Sequence, residues 1–194
     1  LDGVSITSGR ATGAPVEHLD SGAGLLCRAE NTGQECSPTL RDIWFSGNAG
    51  GYGAGMYLFG VSGGIGRPLL ERVRFSGNRV SGNGGALYND GSSAGHANPQ
   101  LVDVEFTGNN AGTYGGAMFN NGRQGQSSPV LDRVGFSGNS ANYGGAIYND
   151  AINSGTTRAL ISNTTFSTNN ASTNGGAIYH YVGSHGHARM MLRH

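Results

Sequence analysis

Phe75-Ser76-Gly77-Asn78, followed by Gly84-Gly85-Ala86-Leu87-Tyr88, decides the fold, because the chain writes this pair of motifs again and again. The first motif recurs as Phe45-Ser-Gly-Asn48, Phe106-Thr-Gly-Asn109, Phe136-Ser-Gly-Asn139 and Phe166-Ser-Thr-Asn169, with the phenylalanines stepping by 30, 31, 30 and 30 residues. The second recurs as Gly115-Gly-Ala-Met-Phe119, Gly144-Gly-Ala-Ile-Tyr148 and Gly175-Gly-Ala-Ile-Tyr179, and slips to Gly53-Ala-Gly-Met-Tyr57 in the first copy. An apolar residue stands five places before each phenylalanine (Leu40, Leu70, Leu101, Leu131, Ile161), and another usually two before it. That alternation, ending in Gly-Asn, reads as a short strand and a turn. The Gly-Gly-Ala segment reads as a second short strand, and variable loops such as Gly91 to Asn98 and Gly122 to Ser128 lead to the next copy.

A unit of about 30 residues cannot bury its own apolar face, so it must stack on its neighbours. The expected architecture is all-β: a single-stranded parallel β-helix of about six coils, in one domain over residues 1–194. Residues 1–37 form a divergent first coil, with Leu1, Val4 and Ile6 in phase with Leu40, Ile43 and Phe45. Residues 38–181 hold five regular repeats, and 182–194 start a further coil or form the C-terminal edge. The first coil is longer by nine residues, an excess expected around the cysteine loop. A β-propeller is the alternative, but its blades need about four strands in some 40 residues. Coils stack at about 4.8 Å, so equivalent side chains lie above one another. Phe45, Phe75, Phe106, Phe136 and Phe166 then form an internal stack. Asn48, Asn78, Asn109, Asn139 and Asn169 form a hydrogen-bonded ladder at the turn.

Composition narrows the function. Of 194 residues 36 are glycine, which argues against helices. Twelve positive and twelve negative charges cancel, removing the electrostatic footprint of nucleic-acid or anionic-membrane binding. All positive residues are arginine, so lysine chemistry is excluded. No apolar run approaches the ~20 residues that span a bilayer, and the chain opens on Leu1 without an initiating methionine, as a processed or excised segment would. Cys27 and Cys36 flank a short polar stretch, and a disulfide is favoured over free thiols. That places the protein outside the cytoplasm.

The paired Phe-x-x-Asn and Gly-Gly-Ala-[Ile/Leu/Met] motifs resemble the repeats of chlamydial polymorphic membrane proteins. They also resemble related bacterial surface proteins built on right-handed, pectate-lyase-like parallel β-helices. The likeness covers about residues 38 to 181, and weakly the first 37. It implies a right-handed coil in a secreted or surface-displayed protein, often an adhesin. The family's autotransporters carry a membrane β-barrel segment that this chain lacks, so no transport role is expected.

No catalytic, cofactor or metal site is expected. Asp42, Arg72, Asp103, Arg133 and Asn163 share one phase and should form an outward column of alternating charge. Asp90 and Asp150 fall two coils apart, roughly 10 Å, which is close to the spacing of an inverting carboxylate pair. Asn121 holds the same place between them, so a turn role explains all three better. His180, His185, His187 and His194 cluster near the C-terminus, and His185 and His187 could share a strand face toward a metal, but a polar loop is the favoured reading. Tyr57, Tyr88, Phe119, Tyr148 and Tyr179 run beside Met56, Leu87, Met118, Ile147 and Ile178, and only one of the two columns can face inward. The aliphatic column is placed inside, which leaves the aromatic one outside as a stripe for glycan or protein.

The first functional expectation is a non-enzymatic extracellular or cell-surface structural protein, stacking head to tail with copies of itself into a filament or forming part of a longer surface stalk. The second is an adhesin holding glycan or host protein through its loops and aromatic stripe. A polysaccharide lyase or hydrolase is third.

Overall fold

The structure, a computed structural model, describes residues 1–13 and 20–193. It is a parallel β-solenoid with no helix among the described residues. Every strand pair is parallel, and each sheet runs through the coils in sequence order. The phenylalanines sit on a six-stranded sheet (Ser5–Thr7, Trp44–Ser46, Arg74–Ser76, Glu105–Thr107, Gly135–Ser137, Thr165–Ser167), so five turns separate its first strand from its last. After the Gly-Asn turn comes a second sheet (Ala49–Gly50 to Asn170–Asn174), then a third carrying the Tyr-Asn-Asp segments (Leu25–Ala29, Met56–Gly60, Leu87–Asp90, Met118–Asn121, Ile147–Ile152, Ile178–Gly183). A short fourth (Glu35–Cys36, Ile65–Gly66, His96–Ala97) leads to a fifth, which runs from Thr39–Arg41 to Thr156–Ser162 and His187–Arg193.

This is more strand than the two short segments per repeat named from the motifs. The loops at Gly91 and Gly122 are themselves stacked, Gly91 N–H donating to the Asn121 carbonyl at 2.9 Å and Gly122 N–H to that of Asp150 at 2.9 Å. Nor is Gly-Gly-Ala a strand: the strand starts one residue later, at Leu87, Met118 or Ile147. Its two glycines do different work. Gly84, Gly115, Gly144 and Gly175 hold φ between 62 and 68°, the left-handed region. A Cβ on Gly85, Gly116 or Gly145 would overlap the carbonyl oxygen of the equivalent glycine one coil on. The long first coil also differs from expectation. The cysteine loop keeps ordinary register, Cys36 pairing with Gly66. Arg10 lies 39 residues ahead of its partner Ala49, whereas Ser21 lies 31 ahead of Tyr52, so the excess falls between Arg10 and Ser21. Part of that stretch is outside the described residues.

The core is a set of columns. Phe45, Phe75, Phe106, Phe136 and Phe166 stack with centroids 4.8 to 4.9 Å apart and ring planes within 6° of parallel; Ile6 extends the column below Phe45. Leu40, Leu70, Leu101, Leu131 and Ile161 form another, all at most 2% exposed. At the turn each asparagine uses its whole amide. Asn109 Oδ1 accepts from both the backbone N–H and the Nδ2 of Asn78, while Asn109 Nδ2 donates to Asn139 Oδ1 and to the carbonyl of Phe75. Asn48, Asn78 and Asn139 repeat the pattern, and Gly9 N–H closes it on Asn48 Oδ1. Only a side chain that is both donor and acceptor can bond to a copy of itself on either side.

Asn109→Ala leaves a buried N–H, an amide Nδ2 and two acceptors short of partners. It should cost about 3 kcal/mol or more in urea unfolding, whereas half-buried Asn169→Ala costs less; equal costs would mean the ladder is not a stability element. Gly116→Ala, where a Cβ would overlap backbone atoms, should cost more than Gly108→Ala, whose φ of 63° is strained but whose Cβ would meet open space. The second change should cost about 1 kcal/mol.

Candidate functional site

Along the third sheet the side chains alternate strictly. Leu87, Met118 and Ile147 point into the solenoid; the aromatic column points the other way and forms a separate cluster. It is nonetheless not an exposed stripe. Tyr57, Tyr88, Phe119 and Tyr148 are 0, 7, 3 and 4% exposed, and only Tyr179 is partly open. The expected glycan-stacking surface on these five residues is therefore corrected: their faces are occupied by one another and by an outer layer. Tyr57–Tyr88 and Tyr88–Phe119 centroids lie 4.6 and 4.7 Å apart, and Tyr148–Tyr179 5.2 Å. Tyr52 meets Tyr88 edge-on at 5.9 Å, and Tyr114 lies over Tyr148 at 4.5 Å. Those covering tyrosines were missed by sequence reasoning, yet a signal exists: Tyr52, Tyr114 and Tyr143 each immediately precede the first glycine of the second motif.

The outer aromatic layer leaves one opening toward the C-terminal coils. Tyr114, Tyr143, Tyr148, Tyr179, Tyr181 and Arg123 line a cavity of about 320 Å³. Tyr181, 45% exposed, stands in the column of Asp90, Asn121 and Asp150. Arg123 Nε donates to Asp150 Oδ2 at 2.8 Å, which leaves its terminal nitrogens free to turn toward a ligand. Tyrosine faces and hydroxyls with one anchored guanidinium can hold a small planar or ring-shaped polar group.

Asp90 and Asp150, the candidate carboxylate pair, are tied into this wall. Asp90 Oδ2 accepts from the Tyr57 hydroxyl at 2.9 Å, and its Oδ1 from Asn121 Nδ2 at 2.9 Å and the Ser92 N–H at 3.2 Å, the last an Asx turn. Asn121 makes the same turn with Arg123 N–H at 3.3 Å. Burial, with the nearby Asp90 charge adding to it, raises the Tyr57 and Tyr88 hydroxyls well above their ordinary range. Burial also pushes the Asp150 carboxyl up, and the Arg123 guanidinium pulls it part of the way back. Its Oδ1 is buried without a hydrogen-bond partner.

One residue before these positions the sequence hides a second amide ladder. Asn89, Asn120 and Asn149 are all buried; Asn89 Nδ2 donates to Asn120 Oδ1 at 2.7 Å and Asn120 Nδ2 to Asn149 Oδ1 at 2.8 Å, with His180 next in the column. The repeated Tyr-Asn-Asp tripeptide carried that signal.

The charged column stands on the outer face of the turn into the phenylalanine sheet. Arg72 grips Asp42 through two hydrogen bonds of 2.8 and 2.7 Å, and Arg133 grips Asp103 at 2.6 and 3.0 Å. These arginine hydrogen bonds hold both carboxyls below their usual range. Arg41 pairs with Glu71, and Arg74 with Glu105 at 3.1 Å. An open depression of about 470 Å³ here, beside half-exposed Trp44, is thus lined by charges that neutralise each other. Cys27 and Cys36 form a disulfide that closes the loop between two strands of the first coil. His185 is in a turn with φ of 63°, outside the strand that begins at His187, so the two do not share a strand face. His194 lies outside the described residues.

The Chlamydia polymorphic membrane protein repeat model matches residues 72–90, 136–150 and 163–181, each time a stretch bearing both motifs. No curated protein and no solved structure matches the chain. The chain is a β-helix repeat protein resembling the polymorphic membrane proteins, and its repeats point to the outer membrane or cell surface.

An aspartate whose pKa is raised by folding favours the fold in its protonated form. That contribution is complete below the unfolded value of about 3.9 and is lost as pH rises through the folded value. Asp150→Asn removes the loss, so the stability of the variant relative to the parent should rise between acid and neutral pH. A flat difference in thermal melts across that range would show that Arg123 compensates fully.

Proposed function

We propose that the chain is a non-catalytic segment of an extracellular stalk, lengthened by further coils of its own kind or by copies stacked head to tail. The observation that carries this reading is that the apolar columns of Leu40 and Phe45 run through every described coil, so the first and last described rungs present side chains of the same columns. Asp2 pairs with Arg41, which sets Asp2 in the column that ends in Arg193 and Leu1 in the column that ends in Leu192. A copy placed in register on the last rung therefore sets Leu1 against Leu192 and Asp2 beside Arg193. Those leucines are 61 and 64% exposed, the most open large apolar side chains among the described residues. Such a contact is heterologous and does not close, so it yields a rod of open length.

Negative-stain electron microscopy and sedimentation velocity test it. Rods one solenoid wide, lengthening with concentration and dispersed by Leu192→Asp, are expected; discrete monomers at every concentration would remove self-stacking and leave only a longer chain to cover the rungs. A second reading, an adhesin holding a glycan or host protein, is supported by the tyrosine-lined cavity. A glycan array in which binding disappears with Tyr181→Ala would establish it.

A further inference from the structure

We infer that the outer face of the last two strands of the fifth sheet, around Arg158, Arg189 and Arg193, is a binding site for an acidic polysaccharide. This site is separate from the tyrosine cavity; a copy stacked on the last rung would set Asp2 beside Arg193 and leave Arg158 and Arg189 as the core of the site.

The strand Thr156–Ser162 buries Thr157, Ala159 and Ile161 at 1, 4 and 2% exposure and turns Arg158 and Leu160 outward. The strand His187–Arg193 lies parallel to it, with Arg189 directly opposite Arg158, Met191 opposite Leu160, and Arg193 opposite Ser162. Arg158, Ala159, Leu160, Arg189, Met191 and Arg193 line a cavity of about 280 Å³, with no carboxylate among the described residues that line it.

Like charges directly opposed on neighbouring strands repel, and the rest of the solenoid avoids them. Arg28, Arg41, Arg72, Arg74, Arg123 and Arg133 each have a carboxylate partner, five of them one coil away. Of the six arginines without an ion pair among the described residues, three stand on this one face. Asp132, two rungs below Arg193 in the same column, is already held by Arg133, Ser162 and Asn163. An anion placed between Arg158 and Arg189 removes their repulsion, and guanidinium forks bond sulfate or carboxylate oxygens in pairs.

The geometry selects the class of anion. Arg158 and Arg189 are one rung apart, about 4.8 Å, and Arg189 and Arg193 are about 13 Å apart along the strand. Leu160 and Met191 lie between as an apolar floor. A sugar ring has an apolar face that can rest on such a floor while its acidic substituents reach the guanidiniums on either side. The chain's net charge of zero offers no general attraction to nucleic acid or an anionic membrane.

The test is isothermal titration calorimetry at low salt with a heparin-derived hexasaccharide. It compares the parent with Arg158→Gln/Arg189→Gln/Arg193→Gln and with a charge-matched control, Arg10→Gln/Arg67→Gln/Arg79→Gln. The parent should bind, with affinity falling as salt rises. The first variant should bind at least about tenfold more weakly through loss of three charge-assisted contacts. The control should match the parent, and circular dichroism should be unchanged in both. Equal weakening in both variants would reduce the effect to net charge and overturn the site. So would absence of binding by the parent, or tighter binding of a charge-matched polyglutamate, which would make the ligand an acidic peptide.

Discussion

Every feature of this molecule depends on parallel strands held in register from coil to coil. Once the backbone hydrogen bonds of one rung are made to the next, each side chain is held about 4.8 Å from the residue one repeat away, and has no other neighbour to choose along that axis. A position is then stable only if its residue tolerates a copy of itself. Phenylalanine does so by stacking face over face. Aliphatic residues do so by dispersion and burial. Asparagine does so because one amide offers both a donor and an acceptor. Charged residues do not, and they alternate sign instead, as Asp42 does with Arg72 and Asp103 with Arg133. Arg158 and Arg189 break the rule, which is why that face stands out.

The same constraint explains the glycine content. Between the Asn turn and the third sheet the backbones of successive coils approach so closely that a methyl group on Gly85, Gly116 or Gly145 has no room. The neighbouring Gly84, Gly115 and Gly144 are needed for a different reason, a left-handed backbone conformation. The two requirements fall on adjacent residues, and the result is the Gly-Gly pair. Where the turn before the Asn ladder lacks glycine, Thr168 takes φ of 51°, a conformation that a β-branched residue adopts only under strain.

Outside the core the solenoid builds a second layer. Tyr52, Tyr114 and Tyr143 cover a column that strand alternation alone would leave in solvent; the buried Asp90 is bonded by Tyr57 and Asn121, and Arg123 holds one oxygen of the buried Asp150. The aromatic column therefore serves as packing along most of the solenoid, and among the described residues its covering leaves a ligand-sized opening near Tyr179 and Tyr181.

The sequence alone determined the parallel solenoid, its 30-residue period, the phenylalanine stack, the first asparagine ladder and the alternating charges, because stacking converts one-dimensional periodicity directly into contact. It also placed Met56, Leu87, Met118, Ile147 and Ile178 inside and the aromatics opposite, since strand alternation admits no third choice. Tertiary structure alone decided what lies over that opposite face. Tyr114 reaches Tyr148 from the turn between two strands of the preceding coil, and Arg123 reaches Asp150 across a loop. Lateral distances of this kind depend on how the coil bends between its sheets, and a repeat period contains no information about bending.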